Sequence, residues 1–137
     1  MAAVFVLDSS AILAFLYDEP GRDAVEELLA GAGDQTVVRL HRIHLGEAYY
    51  LFYRKGGQRL ADEMLDDVRR LPIVLEDRIS PALMREAGRL KASYRLSCAD
   101  AFAGGLARVR QGRLVSADRR EFGPLESAGE IAVGWIR

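Results

Sequence analysis

The chain has 137 residues, 50% of them hydrophobic, with a formal net charge of -1. That composition excludes a disordered or strongly basic chain and suits one domain, residues 1–137, with its own core. The single cysteine, Cys98, excludes an internal disulfide, and one Cys with two His is too few for structural zinc.

Ala3–Leu7 is an uninterrupted apolar run that stops at Asp8, as expected of a strand buried on both faces of a parallel sheet. Asp8 breaks the apolar N-terminus and no basic segment accompanies it, so it does not read as a secretory signal. No apolar run approaches the roughly 20 residues of a membrane span. The expectation is a cytoplasmic protein with no membrane partner. Ser9 or Ser10 is placed to cap a short helix through Ala11, Leu13 and Leu16, which Glu19-Pro20-Gly21 ends. A second helix spans about Arg22 to Ala30, before Gly31 and Gly33.

Thr36-Val37-Val38 reads as the second strand. A helix then runs from His41 or His44 to Lys55 and closes at Gly56-Gly57; Leu60, Met64, Val68 and Leu71 mark another, ended by Pro72. Ile73-Val74-Leu75 is a third strand, and Ser80-Pro81 opens a helix with Leu83, Ala87, Leu90 and Tyr94 on one stripe. Ser97 starts a helix to about Arg110, Leu114-Val115 forms the fourth strand, and Ile131-Ala132-Val133 the fifth. This alternation predicts an α/β fold, a sandwich around a mostly parallel sheet.

Ligands of such sheets bind beyond the carboxyl ends of the strands. Asp8 and Asp118 stand there, after the first and fourth strands. Asp8 reads equally as a helix cap and as a metal ligand. Glu47 lies within an otherwise apolar helical stretch, and Asp100 three residues after the capping Ser97, where a capping acid is the plain alternative. Asp118 has the same alternative, as cap of the segment from Arg119. Brought together, these four acids would repel one another without a cation. An all-oxygen set suits Mg²⁺ or Mn²⁺, which can activate water for attack on a phosphodiester.

In order and context the four acids resemble the PIN-domain ribonuclease family, and within it the VapC toxins of toxin–antitoxin pairs. The resemblance spans Val6-Leu7-Asp8-Ser9-Ser10-Ala11, Leu45-Gly46-Glu47-Ala48, Leu96-Ser97-Cys98-Ala99-Asp100-Ala101 and Val115-Ser116-Ala117-Asp118-Arg119-Arg120-Glu121-Phe122. It implies a PIN-like three-layer α/β/α sandwich. It also implies an endoribonuclease that uses Mg²⁺ or Mn²⁺, held by Asp8, Glu47, Asp100 and Asp118. Ser10 and Ser116 would orient the acids or meet a metal water, and Arg119 and Arg120 would hold RNA phosphates. The expected partners are an RNA substrate, a cognate antitoxin and a second copy in a homodimer.

The chain departs from the family in Arg39-Leu40-His41-Arg42-Ile43-His44, where Ser, Thr or Asn is usual before the second acid. His44 reads as a partly exposed polar side chain, with an RNA contact or a proton donor as the alternative. Cys98 reads as a small core residue, and Trp135 as packing. Tyr49, Tyr50, Phe52 and Tyr53 read as core or a protein interface, and the paired Gly104-Gly105 as a close contact within or between chains. Three other readings compete. One is a catalytically silent PIN-like module that binds RNA or protein. The others are a haloacid-dehalogenase-like phosphatase, which needs an acid where Ser10 stands, and a phosphoacceptor receiver domain.

Overall fold

The computed structural model describes residues 1–137. Its strands are β1 (Ala3–Leu7), β2 (Thr36–His41), β3 (Val74–Glu76), β4 (Arg113–Ser116) and β5 (Ala132–Trp135). All pair in parallel, in the order β3-β2-β1-β4-β5. The sheet is thus parallel throughout, where the sequence allowed a mixed one. The central β1 pairs Leu7 with Leu40 of β2 on one side and with Val115 of β4 on the other.

Alternation along the strands makes the layers. Val6, Leu114 and Val133 face one core, completed by α4 (Pro81–Ser93), α5 (Cys98–Val109) and α6 (Arg119–Ser127). Leu7, Leu40 and Val115 face the other, under α1 (Ser9–Tyr17), α2 (Arg22–Ala30) and α3 (Arg42–Arg69). Adjacent residues of one strand therefore bury into opposite cores, which is why β1 reads as a continuous apolar run. The result is a three-layer α/β/α sandwich. No helix is long and apolar enough to cross a membrane.

Several boundaries differ from expectation for local reasons. β2 runs on to His41, whose Nδ1 accepts from the Ile43 N–H at 3.1 Å and caps α3. The cap of α1 is Asp8 and not a serine: Asp8 accepts from the Ala11 N–H. The expected stop at Gly56-Gly57 is a break inside one helical span, where Gly57 takes φ 84°, a conformation open to glycine and strained for other residues. Cys98 is exposed at the start of α5, against the core reading, while Ala101 of the same turn is buried. Phe52 is buried and stacks on Tyr17 at 4.6 Å, whereas Tyr50 and Tyr53 are exposed.

The glycine pair has its contact within the chain. A Cβ on Gly105 would lie 3.0 Å from the Ala87 backbone nitrogen, and one on Gly104 would lie 3.2 Å from Leu90 Cδ1. The small residues let α5 lie close against α4, and the α4 stripe of Leu83, Ala87 and Leu90 is buried under that contact. Neither feature is left to drive dimerisation.

Candidate metal centre

The strand order turns at β1, with β2 and β3 added on one side and β4 and β5 on the other, so the helices after β1 and β4 lie on opposite faces and open a crevice between the strand ends. Asp8 enters that crevice at 1% exposure. Its carboxylate is held on both oxygens. Oδ1 accepts from Ser10 Oγ at 2.7 Å and from the Ala11 N–H at 2.9 Å; Oδ2 accepts from Ser116 Oγ at 2.6 Å. The two serines are fixed in turn, because Ser10 Oγ accepts from the Ala117 N–H and Ser116 Oγ from the Asp118 N–H, each at 2.9 Å. Ser10 and Ser116 are therefore braces for Asp8 and for the Ser116–Asp118 turn, not helix caps. Burial pushes the Asp8 carboxyl up and Asp118 adds to it, against the hydroxyls that favour the charged form.

Asp118 caps α6 by accepting from the Glu121 N–H at 3.1 Å. Ser97 caps α5 and accepts from the Asp100 N–H, which sets Asp100 on the first turn with its side chain toward Asp118. The carboxylate oxygens of Asp100, Asp118 and Glu121 converge within 4.8 Å of one another. Burial first, then the charges of Asp8, Asp118 and Glu121, push Asp100 up to about 7. Glu47 approaches from α3: burial chiefly, then the Asp8 charge, raises it, while the Ser9 side chain pulls it down.

The structure thus brings Asp100 and Asp118 together with Glu121, an acid not expected at the centre. Asp8 sits near enough to this trio to act on Asp100 electrostatically, and Glu47 near enough to feel Asp8, both outside the tightest cluster. The signal for Glu121 was its position three residues after Asp118, one helical turn on. Glu47 Oε1 and Glu121 Oε2 are buried with no hydrogen-bond partner. Buried acceptors without donors, close to the Asp8 and Asp100 carboxyls that burial pushes toward protonation, are what a bound cation would relieve. The donor set is oxygen throughout, which fits a hard divalent ion such as Mg²⁺ or Mn²⁺.

His44 is not partly exposed: it is fully buried at the α3–α5 contact. Its Nε2 lies 2.8 Å from the Ala99 carbonyl, which can only accept, so Nε2 carries the proton. Burial drives its pKa down to about 4, which favours the neutral ring, and its 0% exposure keeps it away from RNA. It ties the helix bearing Glu47 to the turn bearing Asp100. Arg119 lies with its guanidinium 4.7 Å from the centre of the Trp135 ring and donates from Nε to the Arg137 carbonyl, so the C-terminal residues hold it. Arg120 is exposed and borders the acids.

The chain belongs to the PIN-domain family, whose model matches residues 5–124. Its fold is that of solved toxin–antitoxin proteins. The VapBC2 structure from Rickettsia felis, bound to a promoter DNA fragment, superposes with a TM-score of 0.76 at 16% identity over 96% of this chain and 97% of that one. A toxin–antitoxin complex from Klebsiella pneumoniae gives 0.69 at 15%, over 99% and 98%. VapC20 of Mycobacterium tuberculosis, a sarcin–ricin loop cleaving toxin, gives 0.68 at 21%, over 93% and 95%. At these identities the likeness is one of fold. No curated protein sequence matches significantly.

Proposed function

We propose that residues 1–137 form one metal-dependent endoribonuclease domain, the cytoplasmic toxin of a toxin–antitoxin pair. The observation that carries this reading is the convergence of Asp100, Asp118 and Glu121 within 4.8 Å at the strand ends, beside Asp8 and Glu47. Asp8, Glu47, Asp100 and Asp118 would hold Mg²⁺ or Mn²⁺ directly or through waters, with Glu121 as a further oxygen donor. Such an ion lowers the pKa of bound water and offsets the charge that develops during displacement at phosphorus. Ser10 and Ser116 keep the Asp8 carboxylate oriented, and the neutral His44 keeps the acid-bearing helices in register. The solved toxin–antitoxin complexes support the antitoxin, and the one described as a sarcin–ricin loop cleaving toxin supports the RNA.

Purified chain given Mg²⁺ or Mn²⁺ is expected to cut RNA internally, to stop on chelation, and to halt growth unless its antitoxin is co-expressed. Sequencing RNA ends after brief induction will locate the cuts. The absence of both cleavage and any metal effect on thermal unfolding would favour the silent binding module. A homodimer also belongs to this reading. Its support is the exposed apolar group Val74, Ile79 and Met84 on the β3–α4 segment, 44%, 51% and 58% exposed. Light scattering over a concentration series should give twice the chain mass; the monomer mass throughout would remove the dimer.

A further inference from the structure

We propose that the cleft between the α4–α5 turn and the first turn of α6 holds an unpaired stretch of RNA, with Arg95 and Arg120 on its phosphates. The cleft measures about 760 Å³; Tyr94 and Arg95 border it from one side, Asp118, Arg120 and Glu121 from the other. The substrate class rests on the nuclease reading, and the surface rests on the pattern of arginine pairing.

Most arginines of this chain are engaged. Carboxylates hold Arg22, Arg89 and Arg108; Arg113 and Arg119 donate to backbone carbonyls; Arg54 lies over Tyr50. Arg42, Arg78, Arg85, Arg95 and Arg120 are exposed and have no such partner for their guanidinium groups. Arg95 and Arg120 line the same cleft as two carboxylates and pair with neither, because Asp118 and Glu121 are turned toward Asp100. The cleft is therefore lined by two carboxylates turned toward Asp100 and by two uncommitted positive groups, one from the α4–α5 turn and one from α6. A guanidinium keeps its charge at any relevant pH and matches a phosphate with two donors.

The aromatic wall selects the form of RNA. Splayed nucleotides can stack a base on Tyr94, whereas the bases of an A-form helix are already stacked on one another. The Tyr94 ring packs against the core, and its hydroxyl donates to Glu130 at 3.1 Å, so the wall is ordered before anything binds. A base can pack against a preset ring without the entropy loss of fixing it.

The test is fluorescence anisotropy of a short labelled single-stranded RNA on the full chain, in an Asp100→Asn background that prevents cleavage. Arg95→Ala and Arg120→Ala should each weaken binding by about 3- to 10-fold. Each should also flatten the slope of log affinity against log salt by about 0.7, the share of one phosphate contact on a single strand. Arg42→Ala and Arg85→Ala should leave that slope unchanged. Unchanged slopes for Arg95→Ala and Arg120→Ala, or an equal effect of Arg42→Ala, overturn the proposal. Equal, arginine-dependent binding of a duplex overturns the unpaired form. Loss of an acidic peptide but not of RNA would assign the cleft to a protein partner and overturn it as well. Calorimetric Mn²⁺ binding, with Asp100 restored, should be the same in both arginine variants as in the parent chain. If the parent binds no Mn²⁺ and cuts no RNA while the arginine dependence holds, the nuclease reading falls and the cleft assignment stands.

Discussion

Asp8→Asn is expected to leave the chain folded and to reduce metal-dependent RNA cleavage by roughly two orders of magnitude or more. The asparagine oxygen can still accept from Ser10 and the Ala11 N–H, in the place of Oδ1. Its amide group meets Ser116 Oγ, which can turn to accept. The packing of α1 therefore survives, while the formal charge closest to Asp100 and Asp118 from β1 is gone. Ser116→Ala is the calibrating variant. It keeps the charge, removes one brace, and should cost nearer tenfold in metal affinity. Single-turnover cleavage and Mn²⁺ calorimetry on both variants separate charge from orientation. Full cleavage by purified Asp8→Asn would remove Asp8 from the site.

The second large effect is an exchange between protons and metal. Burial and the neighbouring carboxylates push Asp100 up to about 7 in the fold, whereas the unfolded chain releases that proton near the ordinary value of 3.8. Through that window the native state binds the extra proton, so metal-free stability falls as pH rises. Asp8 and Glu47 are shifted the same way and add to the slope. His44 opposes it. Its folded pKa of about 4 against 6.5 makes the unfolded state the better proton binder, so its contribution rises with pH over that range. Three acids against one imidazole leave a net loss toward alkaline pH. Mn²⁺ competes with those protons and should reverse the trend, adding about 2.7 kcal/mol at a free concentration of roughly 100 Kd. Thermal unfolding at about pH 5 and about pH 8, with and without Mn²⁺, measures this. A metal-induced stabilisation no larger at the higher pH would contradict it.

The elements most legible in the sequence were those whose signal is local. Ala3–Leu7 announces a doubly buried strand, and Ser80-Pro81 and Ser97 announce helix starts that the structure keeps within a residue. The strand-end positions of Asp8 and Asp118 could also be read, because topology decides where such residues go. What failed depends on which face of a helix meets which neighbour. His44 looked like a polar helix residue; the arrival of α5 over α3 buries it and gives it the Ala99 carbonyl. Glu121 looked like the tail of a motif, and becomes a partner of Asp100 through the Asp118 cap that orients the first turn of α6. The spacing of Gly104-Gly105 revealed a close approach, but not that Ala87 of the same chain made it.

The brace on Asp8 spans nearly the whole chain: Ser116 is 108 residues further on. During synthesis, β1 and α1 leave the ribosome long before β4, so Asp8 has no Ser116 hydroxyl to accept from and no β4 strand beside it. Asp118 and Glu121 emerge later still. A nascent chain therefore carries scattered acids and no assembled centre until β4 and the first turn of α6 are out. Any partner translated alongside has that interval in which to be present when the crevice first closes. Fragments that stop short of Ser116 lack Asp118 and Glu121 and cannot assemble the acidic cluster.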